Sequence, residues 1–348
     1  MNHLNVAYTG LDLHATHSEF GVIDGQGQEQ QRHALSTDPK LMKDWLASLS
    51  ADHIFLAVEE GPLTQWISWQ LNGLVDELVV CDPKENFWIS RSAKKTDRID
   101  AVKLARLLRM GELRTVWHPE QKNDRALFAA TAAHYITMRR EQVRLKHQIK
   151  SRFRRWGVMD VSGETVYSRQ GRAGYLEQLT DGCIRTQIEA LFTLLDHTID
   201  AQSDAKEQMF RLGRGYEEIA EFQKIPGVGP ILAHLFSGIV QTPHRFDRVQ
   251  QLWRWGGLGI TDRSSNGRAL GYQKLDPNGR SEIKDISYRA WKAGATQAKT
   301  TNEVKRFYET SLTNSSSQTN ARLNTQRKIL KVLWTIWRKQ VCYNPDLF

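Results

Sequence analysis

From Asp124 to Trp156 the chain carries neither proline nor glycine. A breaker-free stretch of that length reads as one continuous helix. A second long helix runs from about Ile184 to Leu212. It sets Ile188, Leu191, Leu195, Ile199, Gln202, Ala205, Met209 and Leu212 on an a/d-like seam. The glycine-containing segment 157–182 separates the two. Together they read as an antiparallel, coiled-coil-like arm. The plainer alternative is an ordinary helical subdomain packed on the core, and the polar Gln202 argues against a strict coiled coil. Such an arm divides the chain into three regions, 1–122, 123–215 and 216–348.

The first region alternates between strand and helix signals. Val6 to Leu13 and Phe20 to Ile23 read as strands, with Asp24-Gly25-Gln26-Gly27 as turn chemistry. Gln31 to Leu35 is a third strand, returning antiparallel. Asp38 to Leu49 reads as a helix through Leu41, Trp45 and Leu49. Ile54 to Val58 is a continuous apolar run, as in a buried central strand. A helix over Leu63 to Leu74 and a strand over Glu77 to Cys81 follow. Thr96 is placed to cap a helix carrying Ile99, Val102, Leu104 and Leu107. Three early strands followed by strand–helix alternation is the order of a ribonuclease-H-like sheet, so the fold expected is α/β plus α.

That order gives four acidic residues a common place. Asp12 and Glu59 end two apolar runs that would be neighbouring central strands. Asp97 and Asp100, three apart on a helix, share one face with Cβ atoms about 5–6 Å apart. Crowded carboxylates need a cation, and oxygen-only ligand sets suit Mg²⁺ or Mn²⁺. Two such ions can clamp the attacking and leaving oxygens of a phosphodiester. Glu60 is adjacent to Glu59, and strand alternation would point it to the other face.

The rest of the chain is basic. Of its 348 residues 48 are Lys or Arg and 39 are Asp or Glu, a formal net charge of +9. The surplus fits a polyanionic partner. It is dense on the first long helix, at Arg139, Arg140, Arg144, Lys146, Lys150, Arg152, Arg154 and Arg155. Cys81, Cys183 and Cys342 form no CxxC pair, so neither a zinc site nor a disulfide framework is indicated. No stretch reads as a signal peptide or a membrane span, so a cytoplasmic setting is expected.

In the third region, Ile225-Pro226-Gly227-Val228-Gly229-Pro230 leads into a helix. Its glycines would let backbone amides approach an anion, like the hairpin of a helix–hairpin–helix element that grips DNA phosphates. A purely structural interhelical turn is the alternative. Arg263-Ser264-Ser265-Asn266-Gly267-Arg268 reads as a polar loop in which Arg263 and Arg268 are candidate phosphate clamps. Trp253 and Trp255 read as core. Arg322 to Val341 reads as a basic amphipathic helix.

Taken in order, these segments resemble the insertion sequence 110 family of transposases, relatives of the Piv-type DNA invertases, over almost the whole chain. The N-terminal resemblance rests on Gly10-Leu11-Asp12, Val58-Glu59-Glu60-Gly61-Pro62 and Lys95-Thr96-Asp97-Arg98-Ile99-Asp100-Ala101. The C-terminal resemblance rests on Ile225 to Pro230 and on Gly257-Leu258 to Ser265. It implies a RuvC-like domain in which Asp12, Glu59, Asp97 and Asp100 bind Mg²⁺ or Mn²⁺. It also implies a mostly helical transposase domain with a catalytic serine, which falls on Ser265. Ser264 is tandem with it, where the family often has Ser-Gly. The resemblance further implies strand exchange through a phosphoserine intermediate, donor and target DNA as substrates, and a structured non-coding RNA as guide. It implies a homo-oligomer, dimer or tetramer, in which one subunit's serine completes another's carboxylate site. The competing expectations are a resolvase or nuclease that uses water, and a non-catalytic nucleic-acid-binding protein.

Overall fold

The computed structural model describes residues 4–83, 97–119, 122–265, 268–276 and 279–348. The side chains of residues 4, 97–99, 261–265 and 268–273 lie outside that description, and Thr96 does so entirely. The chain forms two units, Met1–Asn123 and Asp124–Phe348. The first is mixed α/β and the second is mostly helical.

In the first unit the strands are β1 (Leu4–Leu13), β2 (His17–Ile23), β3 (Glu29–Ser36), β4 (Ala51–Glu59) and β5 (Glu77–Cys81). Their order is β3-β2-β1-β4-β5, with β1, β4 and β5 parallel and β2 antiparallel to both neighbours. The β2–β3 turn is held by the Asp24 carboxylate, which accepts from the amides of Gln26 and Gln28. Gly27 supplies the left-handed residue at φ +87°.

Helix α1 (Pro39–Ala47) starts where Asp38 accepts from the amides of Lys40 and Leu41, with proline in the first turn. Helix α2 (Thr64–Leu71) stops short of Leu74, because Gly73 takes φ +81°. Both helices bury one face against Leu11, Phe20, Leu56 and Val58. Each of these is worth about 1.5–3 kcal/mol as a fully buried side chain. Helix α3 (Asp97–Met110) covers the opposite face, packing on Ala57, Cys81 and Ile23.

The second unit opens with α4 (Asp124–Arg155), 32 residues and therefore about 48 Å long. A short helix α5 (Gly171–Leu176) leads to α6 (Gly182–Gly213), also of 32 residues. Arg152 bonds Gln187 near one end of the pair and Gln142 bonds Gln202 further along, so α4 and α6 run antiparallel.

The buried stripe of α6 differs from the expected seam. Phe192 is buried and Ile199 is 40% exposed. The Gln142 amide donates both to Gln202 and to the carbonyl of Thr198, which makes a polar layer midway. On one side of it Leu145, Ile149 and Phe153 pack with Ile188, Phe192 and Leu195. On the other, Phe128, Tyr135, Ala205 and Met209 join the core of the remaining helices. The region expected as 123–215 and the region 216–348 therefore share one unit, because the base of the arm is part of that core.

The remaining helices are α7 (Glu217–Phe222), α8 (Pro230–Val240), α9 (Val249–Trp255), α10 (Ser281–Trp291), α11 (Glu303–Asn314) and α12 (Gln318–Lys339). Ser317 caps α12 and starts it ahead of Arg322. The segment expected as a polar loop around Ser265 is a strand pair instead, β6 (Ile260–Ser265) with β7 (Arg268–Leu275). Among the described residues no helix is long and apolar enough to cross a membrane.

Candidate active site

Leu11 pairs with Val58 across β1 and β4, so Asp12 and Glu59 follow side by side at the C-terminal ends of two parallel strands. Strands lie about 4.8 Å apart, so the two carboxylates are neighbours unless a side chain turns away. Their shared face follows from alternation. Leu11 and Val58 point into the α1–α2 core, while Ala57 packs on Leu104 and Leu107 of α3. Asp12 and Glu59 therefore stand on the α3 face of the sheet. Glu60 lies beside the His118 imidazole, at 3.7 Å.

Helix α3 reaches this face through glycine. A Cβ on Gly10 would fall 2.0 Å from the carbonyl oxygen of Ala101 and 2.8 Å from the amide of Ala105. A Cβ on Gly21, cross-strand partner of Gly10, would fall 2.7 Å from the amide of Val102. Backbone thus meets backbone, and the turn carrying Asp100 is seated within two residues of Asp12. Asp97 begins the same helix, and its side chain lies outside the described residues.

Several charges surround these acids. Asp12 has the His14 imidazole at 3.4 Å, and Asp100 has the Lys103 ammonium at 3.5 Å. That Asp100 oxygen, Oδ1, is buried and accepts no hydrogen bond beyond the Lys103 ion pair. Glu19, not foreseen from the sequence, pairs with Asp12 across β1 and β2 and so shares its face. Like charges directly opposite on a sheet are destabilising. The only signal of Glu19 in the sequence was its even spacing from Gly21, and that needed the register.

Among the described residues no group of three His, Cys, Asp or Glu side chains is placed to hold a metal ion. The donor set Asp12, Glu59 and Asp100 is nonetheless all carboxylate, the type that Mg²⁺ or Mn²⁺ takes.

Ser264 and Ser265 lie near the hairpin end of β6, opposite Ala269 and Arg268 of β7. The pairing shifts between Asp262 and Ser264, around Arg263. The side chains of Arg263, Ser264, Ser265 and Arg268 lie outside the described residues.

Gly227 takes φ +88°, and its missing Cβ leaves room for the carbonyl of Ala290 at 2.2 Å and the amide of Gly294 at 2.6 Å. Its close approach is thus to the protein's own backbone. Gly229 faces open space as the N-cap of α8, with no side chain capping that helix.

The expected cations of α4 are partly engaged within the protein. Arg139 donates to Asp285 and Arg140 to Glu282, each at 2.8 Å. Arg144 bonds Glu141, Lys150 the carbonyl of Gly163, and Arg152 Gln187. Arg154 and Arg155 are exposed in the last turn, where positive charge also complements the helix dipole.

Residues 220–309 match the family model described as Transposase IS116/IS110/IS902 family. Residues 9–155 match a second model, described as Transposase and named for the DEDD transposases of IS110. The four acids fall within the second match and Ser265 within the first. The chain is also 35% identical over 103 residues to "Putative transposase y4qE" of Sinorhizobium fredii (strain NBRC 101917 / NGR234). That stretch covers 28% of this chain, which spans about a quarter of the relative's length, 26%.

Proposed function

From this distant homology to transposases of the IS110/IS116 family, we propose that the chain is the DNA recombinase of a mobile element. In this reading the first unit is a RuvC-like, ribonuclease-H-like catalytic domain. Asp12, Glu59, Asp97 and Asp100 hold Mg²⁺ or Mn²⁺, and Ser265 is the nucleophile. The observation that supports it most is the side-by-side placing of Asp12 and Glu59 on the face against which α3 brings Asp100. A metal held there would neutralise charge on the scissile phosphate.

The chain's own part in the reaction is an exchange of oxygens on phosphorus. The Ser265 hydroxyl attacks the scissile phosphorus and gives up its proton to a base. A deoxyribose oxygen leaves and takes a proton, so the phosphodiester energy is kept in a seryl phosphodiester. Attack by another strand's hydroxyl reverses the step, frees the serine and joins new ends. Serine is a weak nucleophile at neutral pH, so it must meet the carboxylate site during the reaction. Completion of one subunit's carboxylates by another's serine supplies that meeting. Donor and target DNA are the substrates, and a folded non-coding RNA encoded beside the gene is the guide.

A trapping experiment with Mg²⁺, cognate RNA and labelled DNA tests this. The unaltered protein is expected to yield a covalent protein–DNA adduct on a denaturing gel. Ser265→Ala and Asp12→Asn should each abolish the adduct and retain DNA binding, whereas Ser264→Ala should keep it. Strand exchange by Ser265→Ala would remove the serine assignment. Cleavage without any adduct would favour a nuclease that uses water.

A further inference from the structure

Several half-buried arginines of the second unit are neutralised by carboxylates. Arg125 pairs with Glu218, Arg172 with Asp196 and Arg139 with Asp285. One place gathers cations with no carboxylate among its described lining residues. Two adjoining cavities, of about 580 and 590 Å³, share Ile260, Asn324 and Arg327 and so form one groove at the root of the β6–β7 hairpin. Each is in the size range of a small-ligand site. The first has Arg254, Arg327, Lys328 and Lys331 along its wall, and the second has Lys274 and Arg327. No carboxylate lines either among the described residues.

Some of this charge is already spoken for. Arg254 is bonded to Asp276, and Arg327 is turned to the carbonyl of Leu258 and the amide oxygen of Asn324. Lys328 and Lys331 meet no carboxylate among the described lining residues, and the Lys328 ammonium lies over the Phe307 ring at 5.5 Å from its centroid. They stand three apart on α12, so their stems are neighbours on one helix face. Burial, and then the charge of Lys331, hold the Lys328 ammonium below the usual lysine range. Crowding two like charges without an acid costs stability, and a bound anion would relieve that cost.

The remaining walls say which anion. Gln250, Asn314 and the hydrogen-bonded pairs Asn320–Ser316 and Asn324–Ser315 make the polar wall neutral. Trp253, Phe307, Leu258 and Ile260 give an apolar floor, with Ile260 itself 50% exposed. Trp253 is fixed in place because its indole N–H donates to the carbonyl of Arg327. Free phosphate would use the lysines and waste the floor. Cations that track a backbone, combined with aromatic and apolar surface for bases, are the chemistry that holds single-stranded nucleic acid.

We propose that this groove, with Lys328 and Lys331 as its phosphate contacts, holds an unpaired strand of DNA and leads it along the β6–β7 hairpin towards Ser265. The choice of DNA over RNA rests on the function proposed above, through the place of Ser265 on that hairpin. Ile260 begins β6 and Ser265 ends it, so the gripped segment lies roughly 17 Å along the strand from the serine backbone. The groove would then hold nucleotides flanking the cut site and leave the scissile phosphate free. Contacts of this kind position a strand without reading its sequence.

The test uses the full chain and fluorescent oligonucleotides of one sequence as single-stranded DNA, duplex DNA and RNA, without divalent metal. The double variant Lys328→Gln/Lys331→Gln is expected to lose single-stranded DNA affinity by about tenfold or more at low salt. Its plot of log affinity against log salt should be shallower by about 1.4, the release expected for two single-strand phosphate contacts. Arg211→Gln/Arg214→Gln, an equal charge loss at two exposed positions at the end of α6, should change neither. Lys331→Gln alone should melt no lower than the parent, since it relieves repulsion of Lys328, which separates a binding defect from misfolding. Unchanged affinity and slope in the lysine pair, or equal losses in both pairs, would overturn the groove. So would duplex or RNA binding that falls more than single-stranded DNA binding. A parent that binds no nucleic acid would overturn both the groove and the recombinase reading. Lysine-dependent binding without any adduct at Ser265 would leave the groove standing and remove only the serine mechanism.

Discussion

Gly10→Ala is the sharpest test of how the acidic corner is built. The added Cβ would fall 2.0 Å from the Ala101 oxygen, while ordinary contact begins at 3.4 Å. Helix α3 must therefore retreat by about 1.4 Å, the difference between those distances. The clash is with backbone on both sides, so no change of rotamer relieves it. Overpacking of this kind costs about 1–3 kcal/mol, and the rigidity of the contact points to the upper half of that range. For a unit of this size each kcal/mol lowers the melting temperature by about 4 °C, so a fall of roughly 8–12 °C is expected. Asp100 rides on the same helix and would be drawn away from Asp12 and Glu59. A misplacement of about 1 Å near reacting groups can cost on the order of 10²-fold in rate. Calorimetry of the variant, with Mg²⁺-dependent DNA cleavage and DNA affinity measured beside it, reads all three effects. Affinity should be retained. Gly25→Ala, whose Cβ meets nothing within 4 Å, is the neutral comparison. If Gly10→Ala melts within about 2 °C of the parent and cleaves DNA at the parent's rate, α3 does not rest on β1 at this point.

Two further outcomes follow from other parts of the fold. Gly227→Ala should destabilise the second unit by about 2–4 kcal/mol, from the 2.2 Å clash with the Ala290 carbonyl and the left-handed backbone, while Gly229→Ala should stay within about 1 kcal/mol; equal denaturation midpoints for the two variants would contradict the described turn. In the first unit the His53 imidazole is raised by its hydrogen bond to Asp76, and that bond holds the Asp76 carboxyl low. The stability from His53 is complete below the ordinary imidazole value of 6.5 and lost as pH rises through its elevated value. The stability from Asp76 is complete above the ordinary 3.8 and lost as pH falls through its depressed value. The melting difference between the parent and His53→Ala should therefore be widest between those pH values and shrink above them; a gap that grows on the alkaline side would exclude the pair.

Much of the first unit was legible because each element carries its own local signal. The Glu77–Cys81 strand has the bounds read from its apolar run and the Asp82-Pro83 stop, and Asp38-Pro39 marks the start of α1. Asp12 and Glu59 stood out for the same reason, as acids ending apolar strands. What escaped depends on partners distant in the chain. Gly10 reads as an ordinary strand glycine until Ala101 is laid against it. Glu19 gains meaning only from its register with Asp12. Period alone admits Ile199 on the α6 seam, but the α4 side chain met at that level is Gln142, so the layer there is polar and Ile199 is left 40% exposed. The hairpin was missed for a local reason. The polar residues up to Ser265 masked the strand alternation. The groove draws on residues from Gln250 to Lys331, and no sequence window holds them together.

The polar layer of Gln142 and Gln202 has a mechanical consequence. Apolar packing on either side of it belongs to different cores, so the cooperative coupling that makes one helix pair melt as a whole is interrupted there. The far end of the pair, built on Phe153 and Phe192, can open and close as its own foldon while the near end stays locked into the helices around α8. A substitution in the far core, such as Phe192→Ala, is therefore expected to raise hydrogen exchange there more than in the helices around α8.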